Sequence, residues 1–167
     1  MPAADNAHLE DTALNIRPLD GRDAPRLAVL IADYAQSVRR GPKRPADLFY
    51  AETLLDEGSH TVLGALIGEA LVGFAIYTEF PDPIAGLKAG AIHHLYTDPE
   101  LDGQGLDQAI VDVIADEASN RKWTELVIIA RREETALRRL GESMGAPDGS
   151  ARFIVALSGD RWPATGV

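Results

Sequence analysis

The chain contains no cysteine, which rules out disulfides, thiolate metal sites and a cysteine nucleophile. Its four histidines have no paired spacing, so no metal site is expected. No apolar run approaches the roughly 20 residues needed to cross a bilayer. The first dozen residues lack the basic start and apolar core of a secretory signal. These absences together predict a cytoplasmic protein with no membrane partner. There is no internal repeat and no low-complexity segment. Basic residues are outnumbered: Lys and Arg total 16 against 26 Asp and Glu, a formal net charge of -10. Such a balance argues against nucleic acid as a general partner.

What remains is the composition of an ordinary globular protein, 46% hydrophobic and 25% charged over 167 residues. That length suits one domain with a real core. The expected layout is a flexible leader over 1–12, a single domain over 13–157 and a tail over 158–167. Residues 13–19 read as a strand. Asp20 caps a helix that tolerates Pro25 in its first turn and carries an apolar stripe of Leu27, Leu30, Ile31 and Tyr34. A basic loop over 39–45 precedes a shorter helix with Leu48, Ala51, Leu54 and Leu55. Strands over 61–67 and 71–79 are joined by a hairpin turn at Gly68, Glu69 and Ala70. Phe80-Pro81-Asp82-Pro83 opens a loop to about Lys88, and 89–97 forms the next strand. A helix follows Gly105. Residues 124–130 form an apolar run typical of a strand buried on both faces. A helix over 133–144 and a strand over 152–157 complete the order.

The densest chemistry lies in His93-His94-Leu95-Tyr96-Thr97-Asp98-Pro99-Glu100-Leu101-Asp102-Gly103-Gln104-Gly105-Leu106-Asp107-Gln108. A strand runs into a glycine-punctuated loop that opens directly into a helix. The unpaired N–H groups of a helix start and its positive dipole end make an anion site. Two aspartates, Asp102 and Asp107, stand where an anion would least favour them.

The motif Leu95-Tyr96-Thr97, then Pro99-Glu100, the Gly103-Gln104-Gly105 loop, and Leu140-Gly141 with Ser143-Met144-Gly145-Ala146 resemble the GNAT acetyltransferase superfamily. The resemblance covers roughly 13–157 and is nearest to its spermidine/spermine N-acetyltransferase-like branch. It implies an α/β (α+β) GNAT fold: a central mixed, mostly antiparallel twisted sheet of about six to seven strands flanked by about four helices. It also implies acyl transfer from acetyl-CoA to an amine of a small molecule or protein. The backbone of Leu95, Tyr96 and Thr97 would pair with the pantetheine arm. N–H groups of Gly103, Gln104, Gly105, Leu106, Asp107 and Gln108 would cradle the pyrophosphate. A homodimer is a common arrangement in the family.

Four positions depart from the family pattern. Asp102 replaces a loop arginine and Asp107 the last loop glycine. Glu134 replaces an asparagine, and Gly141 a tyrosine that can protonate the departing thiolate. His94, on the strand expected to face the cleft, is the candidate base, since an unperturbed histidine titrates near about 6.5. His93 is expected on the opposite sheet face. Glu79 is the alternative base. Tyr77 and Tyr96 are candidates to line the acceptor groove, and Arg131 and Arg132 to meet a cofactor phosphate. The rival expectation is a catalytically inactive GNAT-fold binding or regulatory protein that holds acetyl-CoA poorly. A third is a phosphate-ligand binder without acyl chemistry.

Overall fold

In the computed structural model, residues 13–39 and 41–145 are described. Five strands, β1 (Leu14–Pro18), β2 (Thr61–Ile67), β3 (Ala70–Asp82), β4 (Leu87–Thr97) and β5 (Leu126–Ile128), form one sheet in sequential order. Pairings from β1 to β4 are antiparallel, and β5 runs parallel to β4. The sheet is therefore mixed, with five strands among the described residues rather than six to seven. The leader, the tail and the strand expected over 152–157 lie outside those residues.

Among the described residues four α-helices flank the sheet: α1 (Ala24–Val38), α2 (Leu48–Asp56), α3 (Leu106–Asn120) and α4 (Thr135–Met144). Two cores follow from the strand alternation. On one face Leu27, Leu30 and Tyr34 of α1 pack with Val62, Leu66 and Phe74. On the other, Leu106, Ile110, Val111 and Ile114 of α3 and Leu137 and Leu140 of α4 pack with Leu63, Ala75 and Ile92. Truncating a residue as enclosed as Ile110 costs about 2–5 kcal/mol.

The start of α1 is fixed by charge. Asp20 accepts from the Arg22 N–H, and Asp23 returns a bond to the Asp20 N–H, a reciprocal cap that orients the entering chain. Asp23 is buried, and its carboxylate is held by Arg17 at 2.8 and 2.9 Å and by Arg26 at 3.0 Å. The tight β2–β3 turn is Gly68 and Glu69, with Gly68 at φ 59° supplying the left-handed backbone such a turn needs.

Two expectations need correction. Strand β3 does not stop at Phe80: Pro81 pairs with Lys88, and the turn comes only after Asp82, whose carboxylate accepts the Ile84 and Ala85 N–H groups. The Asp82 side chain thus organises the turn, and the proline costs only one ladder donor. The run over 124–130 yields only the short β5, half-buried rather than buried on both faces. Its pairing ends at Ile128 opposite Ile92, continued by a single bond from the Ile129 N–H to the Ile92 carbonyl at 3.0 Å.

The cause lies in β4. Ile76 pairs with His94 and Tyr77 with Ile92, so His93 is an extra residue, a β-bulge. Pairing of β4 with β5 ends beside the bulge, and residues 95–97 keep β3 on one edge with no strand on the other among the described residues. It also turns His93 to the α1 face, where its Nε2 lies 2.7 Å from Thr78 Oγ1. The opposite-face expectation for His93 fails because the bulge breaks the two-residue alternation.

Candidate active site

The edge of β4 that has no strand partner among the described residues forms one wall of a cavity of about 320 Å³. Leu95, Tyr96 and Thr97 line it, together with Gly103, Gly105, Leu106 and Asp107 of the loop and helix start. Of the residues expected from the sequence to hold the cofactor, these seven share one cavity, whereas Gln104 and Gln108 do not line it. Gly103 and Gly105 have φ of 79° and 74°, a left-handed backbone that favours glycine, and nothing lies within 4 Å of where their Cβ atoms would be. Such a bare loop lets a ligand approach the main chain.

The N–H groups over 103–108 are not equivalent. That of Gln104 bonds to the Leu101 carbonyl at 3.2 Å. That of Gln108 is taken by the Asp107 carboxylate itself, at 2.9 Å. Those of Gly103, Gly105, Leu106 and Asp107 make no bond to another described residue. A carboxylate thus stands at the helix start where an anionic ligand would go, stabilising the helix by about 0.3–1 kcal/mol. Among the described residues, the cavity wall carries four carboxylates, Asp102, Asp107, Glu133 and Glu134, and no lysine or arginine.

Beside this cavity lies a second, of about 600 Å³, between α1 and the segment leading into α2. Tyr34 lines both. Its hydroxyl lies 3.0 Å from His94 Nδ1 and donates to Glu134 Oε1 at 2.5 Å, while Glu134 Oε2 accepts the Arg131 N–H at 2.7 Å. The tyrosine proton goes to the carboxylate, so the tyrosine oxygen is left to accept from His94. The Tyr34 ring packs among Phe74, His94 and Tyr96, with centroids 5.6 to 5.8 Å apart. Burial, and then the bond to Glu134, push the Tyr34 hydroxyl well above the usual tyrosine range, so it stays protonated at neutral pH.

Sequence reasoning missed the role of Tyr34, which reads there as one more apolar helix residue, and took Glu134 only as a departure. The signal was a hydroxyl on the apolar stripe of α1, which had to find a partner once buried. His94, the first candidate base, is half-buried and lines neither cavity; it reaches them only through its contact with the Tyr34 hydroxyl.

Other candidates lie elsewhere. Glu79 accepts from Trp123 Nε1 at 2.6 Å, pairs with Lys88 and lies 3.6 Å from Arg121, at the far end of β3. It lines neither cavity, and the Lys88 bond holds its pKa below the ordinary carboxylate range. Tyr77 is buried on the α3 face and donates to Glu117 at 2.6 Å, so it is no part of an acceptor groove. Burial and that bond push it up to about 12. Tyr96 lines the first cavity. Arg131 lines the second, not the loop cavity. Gly141 faces a third groove along β5 and α4, and a Cβ there would meet nothing within 4 Å. Among the described residues no group of three His, Asp or Glu is placed to hold a metal ion, and no helix is long and apolar enough to cross a membrane.

A mixed sheet with a β4 bulge, and a glycine loop and helix start on the same cavity, define an α/β fold with a strand edge and a helix N-terminus facing one cleft. The profile of the Acetyltransferase (GNAT) family matches residues 27–146, and the chain belongs to that family. It is similar to the ribosomal-protein-alanine N-acetyltransferase of Brucella melitensis biovar Abortus 2308, with 37% identity and a TM-score of 0.78 over 86% of this chain and 99% of that one. An aminoglycoside acetyltransferase from an uncultured soil metagenomic sample shares the fold at 18% identity and a TM-score of 0.73, over 87% and 97% of the two chains. So does a transcriptional regulator from Bacillus halodurans C-125, at 18% and 0.72, over 86% and 99%. No curated protein matches the sequence.

Members of this family generally use acetyl-CoA. The backbone here fits it: residues 95–97 offer a strand edge for the amides of the pantetheine arm, and the bare loop offers N–H groups to phosphate. The side chains fit less well, because the wall that would meet phosphates is acidic.

Proposed function

We propose that the protein is an acetyl-CoA-dependent N-acetyltransferase acting on the α-amine at the start of a polypeptide, with cofactor affinity lowered by its acidic loop. The observation that carries this reading is the continuous path from the edge of β4 left open among the described residues, through Gly103 and Gly105, to the start of α3, all on one cavity. Similarity to an enzyme named for a protein alanine supports an α-amine acceptor. A polyamine acceptor, as in the spermidine/spermine branch, is less well supported, because the second cavity is lined by Arg39, Arg44 and Arg131.

Acetyl-CoA, when bound, supplies the activated acyl group. The chain's own residues supply position and proton handling. The β4 edge and the glycine loop hold one reactant against the cavity wall, and the second cavity brings the amine to Tyr34. Placing two reactants together in this way accounts for much of an enzymatic rate. An ammonium must lose a proton before its nitrogen can attack. The Tyr34 oxygen accepts that proton as its own O–H bond breaks and a new O–H bond forms on Glu134. His94, donating through Nδ1–H, holds the tyrosine oxygen in line. Gly141 lies on the third groove and carries no hydroxyl, so Glu134, once protonated, would be the group on the cavity wall able to return a proton to the leaving sulfur.

A second reading is a non-catalytic binding or regulatory protein, favoured by the four carboxylates on the cavity wall. Calorimetric titration with acetyl-CoA, followed by mass spectrometry of an alanine-initiated peptide, separates the two. Saturable binding together with a single acetyl group on the α-amine supports the enzyme. Absence of heat up to millimolar acetyl-CoA, with an unmodified peptide, sinks it and leaves the binding protein.

A further inference from the structure

The two cavities that meet at Tyr34 have opposite charge. The first is lined by four carboxylates, whereas the second carries Arg39, Arg44 and Arg131 on a chain whose net charge is -10. None of these three arginines is in an ion pair with a described residue. Asp47, the one carboxylate among the described residues that line this groove, is already engaged, since it caps α2 by accepting the Tyr50 N–H at 2.9 Å, while Glu134, on the wall of the first cavity, accepts the Arg131 backbone N–H at 2.7 Å. Ile31, Ala35 and Val38 of α1 give the groove an apolar floor.

We infer that this groove receives a polypeptide whose N-terminal amine is followed within a few residues by an acidic side chain. The inference rests on the acetyltransfer reading for what happens to the amine, but its physical basis is separate. An N-terminal segment of this kind is dipolar. Its ammonium is drawn past Tyr34 toward the acidic wall, and its side-chain carboxylate stays with the arginines. The field across Tyr34 therefore sets both position and direction, as complementary charge does at interfaces. Arginine suits this role because its planar fork meets a carboxylate with two parallel bonds.

The mouth of the groove points to a chain rather than a small free molecule. Leu48 is 46%, Phe49 79% and Tyr50 50% exposed at the start of α2, and Leu48 and Tyr50 line the groove. A cluster of exposed large apolar residues beside a cavity is a mark of a macromolecular contact. A bound peptide would continue from the arginines across this patch.

The test uses the full chain and three amidated peptides, Ala-Glu-Glu-Phe, Ala-Gln-Gln-Phe and Ala-Lys-Lys-Phe, so that side chains carry the only carboxylates. Binding is measured by calorimetry without acetyl-CoA, and acetylation by mass spectrometry. The acidic peptide is expected to bind about tenfold more tightly than the neutral one, the sum of several modest charge pairs, with the preference shrinking as salt rises. The double variant Arg39→Glu/Arg44→Glu, at exposed positions, is expected to reverse the order in favour of the lysine peptide. Equal affinity for all three peptides, or a preference that survives charge reversal, overturns the inference. Acidic preference in binding with no acetyl transfer upholds the groove assignment and counts against the enzyme. Transfer to all three peptides with equal KM does the opposite.

Discussion

Tyr34 on α1 donates a hydrogen bond to Glu134 at the start of α4, linking helices on opposite faces of the sheet at the place where two cavities meet. The bond spans the opening at the β4 bulge, and His94, beside that bulge, completes it from below. A position that departs from the family's usual asparagine thus acquires a partner and a use.

If this cluster moves the proton, Tyr34→Phe lowers kcat by about a hundredfold or more, the usual scale of acid–base catalysis, and leaves KM for acetyl-CoA nearly unchanged. Glu134→Gln keeps an acceptor for the tyrosine but not a proton acceptor, so its rate falls while its thermal midpoint moves little. A merely structural role would give the opposite split, with stability lost and the pH–rate profile unaltered. Steady-state rates across pH 5 to 9 for the three proteins decide the matter.

The cofactor loop makes a second prediction. Unit charges about 4 Å apart near a protein surface interact by roughly 4 kcal/mol, less with screening. Removing the Asp107 carboxylate also releases the Gln108 N–H. The variant Asp102→Arg/Asp107→Gly is therefore expected to bind acetyl-CoA at least about tenfold more tightly than the native chain. Titration of both proteins checks this. Equal affinity would mean that neither aspartate opposes the phosphates.

Much of this was legible in the sequence, and the failures have identifiable causes. Helices α1 and α3, the β2–β3 turn and the loop around Gly103 and Gly105 follow from periodicity and glycine placement. The bulge at His93 does not, because one extra residue leaves the apolar pattern of β4 almost intact while reversing a side chain. That single residue misplaced His93 and hid why β5 is so short. Glu79 and Tyr77 misled for a related reason. Both lie on the stretch of β3 that pairs with β4 before the opening, and only register places them away from the cleft. Tyr34 and Glu134 are 100 residues apart, and no local pattern couples them.

Acid stability depends on Asp23. The bond from Arg17 holds its pKa below the ordinary carboxylate value, and Arg22 likewise lowers Asp20, to about 2. A depressed folded-state pKa contributes stability that is present above the unfolded value, about 3.9, and is lost as pH falls through the folded one. The native chain should thus lose stability below about pH 4, with urea midpoints falling between pH 4 and pH 2. Asp23→Asn should show a shallower fall over that window. At pH 7, Asp23→Ala strands two arginines that are about a third exposed, so a loss of about 3 kcal/mol is expected, at the lower end of the range for broken buried pairs.

A control away from the site is Gly90, in β4 before the bulge. A Cβ there would stand 2.1 Å from Cζ3 and 2.4 Å from Cε3 of Trp123. That indole cannot simply swing aside, because its Nε1 donates to Glu79, which Lys88 and Arg121 also hold. Gly90→Ala must therefore move the ring, break the Glu79 bond or shift the backbone. A loss of about 1–3 kcal/mol is expected from urea unfolding, the usual cost of overpacking. Trp123→Leu is destabilising by itself through lost packing, yet combined with Gly90→Ala it should cost less than the sum of the two changes, since the shorter side chain no longer meets the added methyl. Additive losses would show that the clash is relieved by backbone movement instead. Acetyl-CoA affinity should be unchanged in all three variants, because neither residue lines the loop cavity.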